Sequence, residues 1–206
     1  QIIVGLFLTI GTASLPLGAW GERLKVFGPL LGHEVLWWLA VALLILYVLR
    51  VERRPLSSIG FRGLGFADVL IAVLAGVLMI IGTRVIFSEA VLRLHLQINV
   101  HEFNIWMSDP FWYRFILVLR AAVAEEILVR AYPLERVIEL TGSRVFAGTL
   151  SWAAFTVLHL RTWGPGYVIT AGFYGLILTL LYLWRRNVCS NIIAHWILDA
   201  AMYLVR

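Results

Sequence analysis

The sequence predicts an all-α protein: a polytopic transmembrane helical bundle of about seven to eight spanning helices, a single transmembrane domain over residues 1–206. Three observations predict it. Of 206 residues, 61% are hydrophobic and 14% charged, against roughly 45–50% and about 25% in soluble domains. The apolar residues fall in runs close to the ~20 residues that a helix needs to cross the hydrocarbon layer. Nine Trp and seven Tyr suit a chain with two lipid–water interfaces, where amphipathic rings collect.

Seven segments qualify as spans. Ile2–Trp20 carries Gly11, Pro16 and Gly18, so it is kinked or short. His33–Leu49 and Phe66–Phe87 are more uniformly apolar. Ser88–Asp109 is mixed in polarity and lies at an interface or folds as a loop helix. Phe111–Leu140, Ser143–Leu160, Tyr167–Trp184 and Asn191–Val205 complete the set. Neither an internal repeat nor a low-complexity stretch interrupts them. The chain begins at Gln1 rather than Met, as a fragment or a processed form does.

The net charge of +5 is dispersed in short polar gaps between apolar runs. That pattern speaks for membrane topology and against nucleic acid. Cys189 is the one cysteine, so no internal disulfide or cysteine metal cluster can form. If the segments alternate, Arg50, Arg53, Arg54, Arg62, Arg136, Arg144, Arg185 and Arg186 fall on one side. Arg23, Lys25, Arg93, Arg114, Arg161 and Arg206 fall on the other. The excess places the first set, and the N-terminus, in the cytoplasm.

Ionisable groups inside spanning helices are costly, about 2.5–3.5 kcal/mol each on translocon scales, and mark function by default. Here they gather in the C-terminal half: Arg120, Glu125, Glu126, Arg130, His159, His195 and Asp199. Adjacent helical residues point about 100° apart, so Glu125 and Glu126 have different tasks. Glu126 and Arg130 stand i, i+4 in the favourable order for an ion pair. Glu125 is left without a partner on its own helix, as suits a proton-transfer base; a polar cluster gluing helices together is the plainer alternative. His195 and Asp199 share a face at i, i+4. Glu125 and His159 each lie 17 residues from Gly142, level in an antiparallel hairpin turning there. His195 joins them if the hairpin base protrudes by about a dozen Å. The segment Arg161–Gly166 would then be non-helical at membrane depth, tolerated only against protein or a water-filled cavity.

Glu125-Glu126-x-x-x-Arg130 resembles an EExxxR motif, Phe155-x-x-x-His159 an FxxxH motif, and His195-x-x-x-Asp199 an HxxxN/D motif. Together they resemble the type II CAAX prenyl endopeptidases and their bacterial relatives, the Abi or bacteriocin-processing group. The likeness covers about Phe111–Arg206, making 111–206 the catalytic core; Ser57–Arg62 is also similar to a family feature. The resemblance implies an intramembrane endopeptidase that cleaves a membrane-anchored peptide or protein, CAAX-like prenylated or otherwise held, in a bacterial or archaeal cell membrane. It implies that Glu125 activates water with His159, that His195 and Asp199 hold the oxyanion or complete the site, and that Glu126 and Arg130 brace His159 and the helix. Asp199 stands where prenyl proteases carry Asn, and an ionised carboxylate donates no hydrogen bond. One Glu and two His also suit zinc, so glutamate-dependent and metal-dependent hydrolysis both remain open.

Two other classes use such residues. A proton-coupled transporter would carry them as relays, but paired broken helices and an inverted repeat are lacking. A non-catalytic binding or immunity protein would sequester a peptide. The full set of polar motif residues favours hydrolysis.

Overall fold

A backbone in lipid must satisfy its own hydrogen bonds, which leaves helices and closed barrels. The computed structural model describes residues 2–6, 9 and 28–205, and all its regular elements there are helical. Residues 2–6 are helical; Gly11, Pro16, Gly18, Arg23, Lys25 and Arg206 lie outside the described residues. Eight α-helices follow: α1 (Gly28–Leu46), α2 (Phe66–Ile86), α3 (Val100–Ser108), α4 (Phe111–Glu125), α5 (Tyr132–Thr141), α6 (Arg144–Trp163), α7 (Pro165–Arg185) and α8 (Val188–Tyr203). The all-α fold is as the sequence predicts.

Three stretches are long and apolar enough to cross a membrane: Glu34–Val51, Phe66–Leu92 and Pro165–Arg185. Two of them extend an α-helix by a π-helical end, Tyr47–Val51 and Phe87–Leu92. Of the mixed segment Ser88–Asp109, the part that forms an α-helix is the short α3, capped by the Asn99 side chain accepting from the Glu102 amide.

The expected long helix Phe111–Leu140 is two helices joined by a π-helical turn, Glu126–Ala131. Pro133 accounts for part of this. It has no N–H, so the carbonyl of Val129, four residues earlier, loses its helical donor. The buried Ser151 hydroxyl of α6 donates to that carbonyl instead, at 2.8 Å. The hairpin then turns at Gly142, whose N–H donates to Ile138, and Ser143 caps α6 by accepting from the Phe146 amide.

At the opposite end of α6 the structure corrects the sequence reading. The helix continues through Trp163, and α7 starts at Pro165, so the expected non-helical run Arg161–Gly166 reduces to Gly164. Gly164 has φ 84°, a region that side chains disfavour. The corner is held by backbone and side chain of the segment before α3. Asn99 N–H donates to Trp163, the Asn99 side chain to Thr162, and Gly166 N–H to Gln97. Protein, rather than lipid, thus faces the broken backbone.

Helix α6 lies along α7, and α2 along α8, with α4 also against α8. Small residues allow this closeness in membranes. A Cβ at Gly76 of α2 would come within 2.8 Å of the Ile197 side chain. The core between the helices includes Leu128, Leu134, Phe155, Tyr174, Leu178 and Leu198.

Candidate active site

The π-helical turn brings Glu126 and Arg130 wholly into the interior, both at 0% exposure. They pair at 2.5 Å through Arg130 Nη1 and Glu126 Oε1. The same carboxylate reaches α8. Glu126 Oε1 lies 2.8 Å from His195 Nδ1, and Oε2 accepts from the Asn191 side chain at 3.0 Å. Asn191 also donates to the Leu178 carbonyl. One buried acid therefore fixes two helices.

His195 faces a second acid through its other ring nitrogen: Nε2 is 3.5 Å from Asp199 Oδ2. With carboxylates on both sides, the ring is set up to donate twice, the hydrogen-bonding pattern of an imidazolium. His159 differs. Its Nδ1 lies 2.7 Å from the Phe155 carbonyl one turn back. A carbonyl only accepts, so Nδ1 carries the proton and the neutral ring offers Nε2 as an acceptor.

Phe155 connects the two halves. Its ring sits 3.9 Å below the Arg130 guanidinium, 4.6 Å from the His159 ring and 6.1 Å from the His195 ring, centroid to centroid. Tyr174 lies against both imidazoles as well, at 5.9 Å and 6.4 Å.

Glu125 is half-buried. It makes no hydrogen bond or ion pair among the described residues, yet it is within electrostatic reach of His159, His195 and Asp199. Arg120 is the other buried cation here: it pairs with Glu34 at 3.2 Å, lies over Trp37, and is also within electrostatic reach of Asp199.

The six expected residues thus divide. Glu126, Arg130 and His195 are joined directly, Asp199 adjoins His195, and Glu125 and His159 share the neighbourhood without a direct bond. One expected relation is corrected: Glu126 braces His195, not His159. The reason lies in His159 itself, whose Nδ1 is turned back onto its own helix. Asn191, Tyr167, Tyr174 and Tyr203 were not singled out in the sequence. A helical stripe, 195–199–203, was there to point to Tyr203.

Zinc fits poorly. Among the described residues no three His, Cys, Asp or Glu side chains are grouped to hold a metal ion, and both His195 nitrogens are engaged by carboxylates.

Beside the site, an apolar cavity of about 510 Å³ runs between α2, α3, α7 and α8, with Phe103, Trp163, Tyr167, Thr170, Leu198 and Met202 in its wall.

Residues 107–201 match the family model described as type II CAAX prenyl endopeptidase Rce1-like. The matched segment contains every one of the six motif residues. No curated protein and no solved structure matches the chain. The apolar helices suit an integral membrane protein, and residues 107–201 are similar to a family of intramembrane proteases.

Proposed function

We propose that the chain is an intramembrane endopeptidase in which Glu125 acts as general base for attack of water on a peptide bond of a membrane-anchored substrate. The observation that carries this is the state of Glu125. Among the described residues it is the acid of the site without a hydrogen-bond or ion-pair partner, and it stands near His159, whose Nε2 is free to accept. Glu125 takes a proton from water while His159 Nε2 accepts the water's other hydrogen and aligns it. The oxygen adds to the carbonyl carbon, and charge collects on the carbonyl oxygen. The proton held by Glu125 then passes to the leaving amine as the C–N bond breaks. His195, doubly flanked by Glu126 and Asp199, supplies a fixed positive field for the anionic intermediate. Arg130 neutralises Glu126 so that the buried acid can hold His195.

The apolar cavity suits the anchor of such a substrate, whether prenyl or acyl. The clustering of Arg54, Arg136, Arg185 and Arg186 at one end of the bundle supports a cytoplasmic orientation for that end and for the N-terminus, in a bacterial or archaeal cell membrane.

The test uses purified protein in liposomes with a library of membrane-anchored fluorogenic peptides. Glu125→Gln keeps shape and removes the proton acceptor, so cleavage should fall by about 10²–10⁴-fold with folded yield unchanged. Undiminished cleavage by this variant rules the mechanism out. A zinc chelator should leave wild-type cleavage intact.

A further inference from the structure

An anionic tetrahedral intermediate calls for hydrogen-bond donors aimed at its oxygen. Asp199 is a poor one, because an ionised carboxylate only accepts. His195 directs both ring nitrogens at Glu126 and Asp199. Hydroxyl groups are close by. Tyr167 and Tyr174 stand seven residues apart, two turns of α7 and hence one face. Tyr203 continues the His195–Asp199 stripe of α8 by one further i+4 step. All three are within electrostatic reach of both Glu125 and Asp199.

Their accessibility separates them. Tyr174 and Tyr203 are buried, at 3% and 5% exposure. Tyr167 is half-buried and forms part of the cavity wall. Its ring lies nearly parallel to that of His159, 16° off at a centroid distance of 6.1 Å. Its hydroxyl oxygen is 3.4 Å from that of Tyr203. Tyr167 therefore borders the space a substrate would occupy and the groups that would act on it.

We propose that Tyr167 donates its hydroxyl hydrogen bond to the scissile carbonyl oxygen as that oxygen gains charge, and that Tyr203 orients the hydroxyl. The assignment rests on the hydrolytic reading above. Tyr167 keeps its proton throughout: the water oxygen bonds to carbon, Glu125 relays the proton to the amine, and the C–N bond breaks. It gives a donor to a site whose Asp199 cannot serve as one. If Tyr167 were merely a packed ring, its hydroxyl would be dispensable.

Tyr167→Phe separates the two, because it removes the hydroxyl and keeps the ring. In liposomes with an acylated fluorogenic peptide, Tyr167→Phe should lower kcat by about 10²–10³-fold with KM little changed. Tyr203→Phe should lower kcat less. A second measurement titrates the same acylated peptide with its scissile amide replaced by a phosphinate, whose charged oxygen imitates the intermediate. Tyr167→Phe should bind it about 10²-fold or more weakly and bind the amide peptide as wild type does. Wild-type kcat in Tyr167→Phe, beside an inactive Glu125→Gln, overturns the tyrosine assignment and leaves the peptidase standing. If wild-type protein cleaves nothing, the peptidase reading falls, and the phosphinate titration still decides the tyrosine: equal affinity of Tyr167→Phe and wild type overturns it.

Discussion

Two groups of ions in the bundle are matched differently. At the end where the hairpin turns, each acid has its base. Glu52 takes Arg136 and the Tyr132 hydroxyl, Glu135 takes Arg186 and the Tyr182 hydroxyl, Glu139 takes Arg54, and Asp68 takes Arg185. Deeper in, Glu126 and Asp199 share Arg130 and His195, and among the described residues Glu125 is left over. The first arrangement ties helices together. The second keeps one carboxylate uncommitted, which structure alone does not call for. An unmatched acid among matched ones is a better pointer to chemistry than polarity itself.

Breaking either group should therefore have different consequences. The largest effect is expected from Arg130→Ala. It leaves Glu126 buried without its cation, a loss of about 3–5 kcal/mol, and releases His195 as well, so thermal stability in detergent and activity per folded molecule both fall. Arg136→Ala uncovers Glu52 in the same way and should destabilise by a similar ~3–5 kcal/mol, but cleavage per folded molecule should match wild type. Equal loss of specific activity in the two variants would erase the distinction between the groups.

The smallest effect belongs to Arg54→Gln. Its forked pair with Glu139, at 2.5 and 2.7 Å, is about a third exposed on both sides, so it contributes under about 1 kcal/mol. Arg54 holds the Glu139 carboxyl below the ordinary carboxylate range. A folded-state value below the unfolded one stabilises above the unfolded-state pKa and is lost as pH falls through the folded one. Melting at neutral and at acidic pH, with and without Arg54→Gln, should converge on acidification.

Much of this was legible in the sequence because lipid makes charge expensive. Glu125, Glu126, Arg130, His159, His195 and Asp199 stood out against apolar runs, and helical spacing gave the Glu126–Arg130 pair. Spacing could not give partners between helices. Equal spacing from Gly142 puts residues level only along a straight rod, whereas α4 and α5 are joined by a π-helical turn from which Glu126 bonds to α8. The tyrosines were hidden for another reason. In a chain with nine Trp and seven Tyr, aromatic residues read as interface anchors, and nothing local marks Tyr167 or Tyr174 as facing inward. Helix ends moved by up to five residues, as where α1 starts at Gly28 rather than His33; at the Gly164 corner the bonds to residues 97–99 come from a distant segment and extend α6 by three residues.

The Ser151–Val129 bond has a consequence for how mutations combine. Pro133 cannot give Val129 the donor that an α-helix supplies four residues on, and Ser151 supplies one from α6. In the native chain, Ser151→Ala strands a buried carbonyl and should destabilise by about 1–3 kcal/mol. In a Pro133→Ala background, the new amide at position 133 can reach that same carbonyl. There Ser151→Ala should register as nearly neutral in a melting experiment. The two positions, 18 residues apart in sequence and on different helices, are thus expected to drift together or not at all, so that the tolerance of α6 at 151 is decided by a ring on α5.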